Sequence, residues 1–172
     1  MMKPFSDNLV FIDTEFTYLK AGAQLLSVGL VKLTGEELYV EIETDAPYSS
    51  FVIEHVLPHM TGEAVPAAEA ERQIRTFLGD AKPYMVGWVP HYDLVFLIEF
   101  FGVDNMPIHW HSIDFASILF GVDTDPELYR SSNGHQIARS LGIDPDQYQL
   151  HRAIDDARFL RDVWMKYYDI DA

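Results

Sequence analysis

Two carboxylates, Asp13 and Glu15, stand two residues apart in the apolar run LVFIDTEFT at positions 9–17. Side chains alternate across a strand, so Leu9, Phe11, Asp13 and Glu15 share one face while Val10, Ile12 and Thr14 share the other. The acids then point the same way, with Cα atoms about 6.5 Å apart. Like charges held so close and out of water are unfavourable unless something positive sits between them. Two more acids fall on apolar helical faces. In HYDLVFLIEFFG (91–102), Asp93 aligns with Phe96, Leu97, Phe100 and Phe101. Near the C-terminus, Ala153, Ala157, Leu160, Val163, Trp164 and Tyr167 form an apolar stripe at helical spacing. Asp156 lies on its edge, since Phe159, Leu160 and Val163 follow at three, four and seven residues. Asp155 aligns with Arg158 and Asp162 on the polar side, so Asp156 is expected to point inward and Asp155 outward. A first-turn acid also complements the helix dipole, but that does not account for an inward direction.

Asp13, Glu15, Asp93 and Asp156 thus converge with no buried Lys or Arg evident to neutralise them. Two divalent cations would balance four carboxylates. The chain has no cysteine, and ligation by oxygen alone suits Mg²⁺ or Mn²⁺ better than zinc. Two such ions about 3.5–4 Å apart are a device for phosphodiester hydrolysis. His151, five residues before Asp156 and just ahead of the helix, can overhang the same pocket. As a neutral imidazole near pH 7 it can accept a proton from water.

These groups need elements to hold them. After the first strand, AQLLSVGLVKLTGEELYVEIE (23–43) reads as a hairpin turning at Thr34-Gly35. Residues 45–66 are irregular, punctuated by Pro47, Pro58, Gly62 and Pro66, with a short helix near FVIEHVL. AAEAERQIRTFLGD is an amphipathic helix ending near Gly79. PYMVGW is a short buried strand, and Pro90 precedes the helix that carries Asp93. PIHWHSID (107–114) reads as a strand, FASILFG as a short helix, and GHQIARSLG and AIDDARFLRDVWMKYY as the last two helices. A strand meander followed by alternating strands and helices is an α/β layout with a mixed sheet flanked by helices, compatible with a ribonuclease H-like domain over residues 1–172.

The 172 residues suit one core. With a net charge of −15 and twelve scattered Lys and Arg, extensive contact with long duplex nucleic acid is disfavoured. A small pocket gripping one or two nucleotides through metal ions is not. The opening apolar run is too short for a signal peptide or a membrane span, so a soluble cytoplasmic protein is expected. HWH at 109–111 places two imidazoles on one expected strand face, but with no third ligand it reads as a surface or partly buried pair. His55 and His59 are four apart, with Pro58 spoiling a regular helical pair. VDTDPE reads as a solvated loop.

DTEFT (13–17), YDLVFL (92–97) and HRAIDDA (151–157) together resemble the three motifs of the DEDDh 3′→5′ exonucleases, the last fitting H-x-A-x-x-D-A through His151, Ala153, Asp156 and Ala157. Within that family DTEF, HVLP (55–58) and WVPHYD (88–93) most resemble the small bacterial exoribonucleases of mycobacterial type. The resemblance implies that Asp13, Glu15, Asp93 and Asp156 ligate two divalent cations, with His151 as general base. It further implies that Phe16 and Thr17 contact the terminal nucleotide and that a nucleoside 5′-monophosphate is released from an RNA 3′ end. Phe16, Trp88 and Tyr92 are candidates for stacking on a base, each with a core role as the alternative. Many members carry Asn four residues before the second-motif Asp, where this chain has Val89. Short or single-stranded 3′ ends are the expected partners, and a homodimer is compatible with the family. A DNA exonuclease and an inactive ribonuclease H-like binding module are the competing readings.

Overall fold

The computed structural model describes residues 4–170. Its centre is β1 (Leu9–Phe16), apolar on both faces because both are covered. β2 (Leu25–Lys32) and β3 (Glu37–Glu41) continue the sheet on one side, and β4 (Tyr84–Gly87) and β5 (Ile113–Asp114) on the other. The order is β3-β2-β1-β4-β5. β1 runs antiparallel to β2 and parallel to β4. This is the mixed sheet of a ribonuclease H-like fold.

The helices are α1 (Ser50–His55), α2 (Ala67–Leu78), α3 (His91–Phe101), α4 (Phe115–Gly121), α5 (Gln136–Ser140) and α6 (Ala153–Tyr167). Local chemistry sets the bounds of two of them. The Ser49 hydroxyl accepts the Val52 N–H at the start of α1, and α2 stops at Gly79, whose φ of +67° leaves the helical region. The β2–β3 turn closes through Gly35 at φ +99°, as the Thr34-Gly35 signal predicts. Alternation along β1 sorts the core into two layers. Leu9 and Phe11 pack with Ile154, Ala157, Leu160 and Trp164 of α6. Val10 and Ile12 pack with Ala70 and Ile74 of α2 and Phe96 and Leu97 of α3. Among the described residues no helix is long and apolar enough to cross a membrane.

One expected strand is cut short. Of PIHWHSID only Ile113 and Asp114 join the sheet. Ahead of them the His111 N–H donates to Nδ1 of His109 (3.1 Å), so a local side-chain bond replaces a ladder bond. The His109 ring lies on Tyr84, 4.1 Å between centroids, while Trp110 is 81 % exposed. The two imidazoles therefore do not share a strand face.

The contact that sets the site is the crossing of α6 over β2. Gly29 is paired with Asp13 across the sheet. A Cβ added there would fall 2.3 Å from the carbonyl carbon and oxygen of Ala153 and 2.4 Å from the Ile154 nitrogen. No side chain fits, and the backbone contact brings the first turn of α6 down onto the strand. Gly29→Ala is expected to destabilise the protein by about 1–3 kcal/mol through overpacking. By lifting Asp156 off Asp13 it should also lower activity by about 100-fold. Thermal melts and rates on the same variant check both; an unaltered rate would mean that this crossing does not position the acid.

Candidate active site

Asp13 and Glu15 lie at the end of β1, on the face that α6 covers, and Asp156 enters from the first turn of α6. One carboxylate oxygen from each of the three lies within 4.8 Å of those of the other two. Among the described residues no Lys or Arg nitrogen makes an ion pair with Asp13, Glu15, Asp93 or Asp156. Burial is the main cause that raises the Asp13 carboxyl well above the usual range, reinforced by the charges of Asp156, Asp93 and Glu15. Glu15 is pushed up to about 8 by burial, then by Asp156 and Asp93. Asp156 is raised to about 7 by burial, although the His151 backbone N–H bonded to its Oδ2 at 2.9 Å opposes the rise. Without cations the cluster therefore holds protons near neutral pH. Oxygen donors of this charge, this close and without a protein cation, fit a hard divalent ion such as Mg²⁺ or Mn²⁺.

Asp93 stands outside that triangle for a reason set by the strand. α3 packs on the opposite face of the sheet, and there Asp93 meets Thr14 rather than Asp13. Its Oδ1 accepts both the Thr14 backbone N–H (3.0 Å) and the Thr14 hydroxyl (2.6 Å). Burial raises its pKa to about 6 and these bonds hold it lower than burial alone would. Both bonds fall on one of its two carboxylate oxygens.

Asp155 departs from expectation. It is only 8 % exposed and sits between Arg152 (3.3 Å) and Arg158 (2.6 Å), with Arg158 continuing to Glu37 of β3. The side of α6 that its sequence marks as polar is covered by the β3 edge, and arginines close over the acid. Asp155 is thus inward in its own ion network, while Asp156 opens into the acid group.

His151 adopts a left-handed backbone, φ +61°, which aims its N–H at Asp156. Its ring stands edge-on to Phe51 (5.2 Å) and 6.1 Å from His55, both on α1. His59, next along, accepts a bond from the Gln149 amide (3.3 Å). His55, at the end of α1, and His59, in the turn after it, therefore lie on the His151 side of the site. Burial, then the proximity of His55 and His59, holds the His151 pKa below 6.5, so its ring is neutral and able to accept a proton at pH 7.

Asp13, Asp156 and His151 share a pocket of about 240 Å³ with Trp88, Tyr129, Arg130, Ser131 and His135. Trp88 lines it while stacked on Tyr129 (3.9 Å between centroids, 15° between planes). Phe16 is half-buried against Phe96 (4.5 Å). Tyr92 is exposed at the start of α3. Thr17 is fully buried; its hydroxyl accepts the Gln24 N–H (3.1 Å), which commits that side chain to the fold. Gly29 and the 129–135 stretch escape a reading of motifs. A glycine inside an apolar strand is their one sequence signal.

Val89 occupies the left-handed region at φ +51°, a rare state for a β-branched residue. Its N–H donates to Oδ1 of Asp114 (3.0 Å), which also caps α4 through Ala116 (3.1 Å). That bond holds the turn in place against strain. Asn tolerates this backbone, so Val89→Asn is expected to gain about 1 kcal/mol, a rise of roughly 2–4 °C in thermal midpoint by calorimetry.

With this geometry established, known structures can be compared. The nuclease domain of 3′hExo, a DEDDh family member bound to rAMP, superposes with a TM-score of 0.69 at 15 % identity, covering 98 % of this chain and 94 % of that one. The chain has the fold of that nuclease domain. The Neurospora crassa Pan2 catalytic unit, with its protease and nuclease domain, matches at a TM-score of 0.61 and 18 % identity over 98 % of this chain. There the chain spans only 28 % of the larger protein. No family model and no curated protein matches the sequence.

Proposed function

We propose that residues 1–172 form a single DEDDh domain that hydrolyses nucleic acid from the 3′ end, releasing nucleoside 5′-monophosphates, with RNA favoured over DNA. The observation that carries this reading is the half-buried trio Asp13, Glu15 and Asp156, within 4.8 Å of one another, with His151 on the same pocket. Asp93 completes the ligand set from the side. Two bound divalent cations would polarise the scissile phosphate, activate water and stabilise the leaving 3′ oxygen.

The chain's own residues do the rest. His151 accepts the proton of the attacking water, and its left-handed backbone keeps Asp156 oriented through the N–H bond. Trp88, Phe16 and Tyr92 offer faces to the last bases, each stacking contact contributing about 1–3 kcal/mol. Phe16 borders the terminal nucleotide, while Thr17 supports it from inside the fold, its N–H bonded to the Gln24 carbonyl and its carbonyl accepting the Ser49 N–H. The likeness of DTEF, HVLP and WVPHYD to the small bacterial exoribonucleases supports RNA. The net charge of −15 supports short or single-stranded ends over long duplexes.

The test is hydrolysis of a 5′-labelled single-stranded RNA and its DNA twin with Mg²⁺, Mn²⁺ or EDTA. The expected result is a ladder shrinking from the 3′ end, dependent on the cation and faster on RNA. Equal or faster loss of DNA would move the substrate to DNA, and no cleavage of either would overturn the enzymatic reading.

A further inference from the structure

The pocket beside the acids has a rim that the hydrolytic chemistry does not use. Among the described residues lining it, Arg130 is the one Lys or Arg. The backbone that presents it is firmly built. The Arg130 carbonyl accepts the N–H groups of Asn133 (3.0 Å) and His135 (3.1 Å). The buried His135 donates from Nδ1 to the Tyr129 carbonyl (2.7 Å), and its ring packs on Phe159 of α6 at 5.0 Å. The Asn133 amide donates to the Glu127 carbonyl (2.9 Å). Tyr129 is clamped against Trp88.

The guanidinium, by contrast, is lightly held. It meets Glu127 at 3.4 Å, with both side chains more than half exposed. Such a pair is weak and readily exchanged for a better anion. Nor is Arg130 the counter-ion of the acids, since among the described residues its ion pair is with Glu127. A planar five-donor fork on a rigid loop is suited to a phosphate. On a chain of net charge −15, a polyanion needs positive charge where it lands. Bound metal ions would provide that for the phosphate being cut, and any further phosphate must find its own.

We propose that Arg130 binds a second phosphate of the substrate strand, distinct from the one hydrolysed, so that the site recognises at least two consecutive phosphates of a single strand. The proposal rests on the exonuclease reading above and adds a subsite to it.

Arg130→Ala and Arg130→Lys are compared with the wild type on two substrates. One is a single-stranded oligonucleotide; the other is the p-nitrophenyl ester of a nucleoside 5′-monophosphate, which has only the scissile phosphate. Arg130→Ala is expected to raise KM for the oligonucleotide by about 10- to 100-fold, with the loss confined to that substrate. Arg130→Lys recovers part of it, because the charge remains and the fork is lost. The slope of log kcat/KM against log salt should flatten by about 0.7, the loss of one single-strand phosphate contact. Equal losses on both substrates, or none on the oligonucleotide, would overturn the subsite. Anisotropy with a labelled oligonucleotide separates the two claims. A wild type that binds but cleaves neither substrate, with binding weakened about tenfold in Arg130→Ala, keeps the phosphate contact and removes the exonuclease reading. Binding unaffected by the substitution removes the subsite alone.

Discussion

Asp156→Asn is expected to reduce hydrolysis by about three orders of magnitude or more while making the metal-free protein more stable. The loss follows from removing one of three carboxylates within 4.8 Å of one another, since charge stabilisation by bound cations is worth several kcal/mol in the transition state. The gain in stability follows from the same proximity. Burial and mutual repulsion raise Glu15 to about 8, and burial raises Asp156 to about 7 and Asp93 to about 6. All three lie above the carboxylate values near 4 of an unfolded chain. Between about pH 4 and pH 8 the folded state therefore holds more protons than the unfolded one, and its stability falls as pH rises.

Asn removes a charge but keeps an oxygen for the His151 N–H, so the variant should melt roughly 2–4 °C higher in EDTA near pH 8, for about 1 kcal/mol gained. Its decline in stability with rising pH should be shallower. The wild type should respond oppositely to cations: Mg²⁺ or Mn²⁺ at about 100 times Kd adds about 2.7 kcal/mol, a shift of roughly 5–10 °C. The variant should lose most of that shift. Calorimetry with and without EDTA at several pH values measures all of this. A wild type indifferent to divalent cations would remove the metal site from the interpretation.

His151→Asn separates the base from the ligands. Asn accepts the left-handed backbone at this position, so the N–H bond to Asp156 survives while the imidazole is lost. The expected result is a fall in kcat of about 10²- to 10⁴-fold, little change in KM, and a cation-induced rise in melting temperature like that of the wild type. The pH profile supplies the sign. Burial and the nearby His55 and His59 hold the His151 pKa below 6.5, so in the wild type kcat should climb below that pH as the ring loses its proton. It should be level by pH 7. With cation saturating, so that the carboxylates stay ionised through this range, that acid limb should disappear in His151→Asn. A variant that keeps the limb would assign the base to another group.

Several features were legible because they depend on local periodicity. The alternation of β1 puts Asp13 and Glu15 on one face whatever the rest of the chain does, and the stripe on α6 turns Asp156 inward. Asp155 departs from its expected outward direction because a hydrophobic stripe reports only where apolar neighbours lie. It does not report that Arg152 and Arg158 close over an acid beneath the β3 edge. The strand expected at 107–114 had suitable composition but little partner, since β4 pairs with β5 only through Val86 and Gly87. Arg130 and His135 sit in short turns, whose placement over the pocket depends on contacts with Trp88 and Phe159.

The sequence by itself determined which acids are available, which faces they occupy, and that a base-competent histidine precedes α6. Tertiary structure decided how near they come. β1 and α6 lie at opposite ends of the chain, and their separation depends on the sheet order and on the backbone contact at Gly29 rather than on any local propensity. The same packing put Asp93 on the Thr14 side of the strand, where two hydrogen bonds hold it at the edge of the acid group. Distances between carboxylates fix charge repulsion and cation affinity, so the strength of the site belongs to the fold, while its ingredients belong to the sequence.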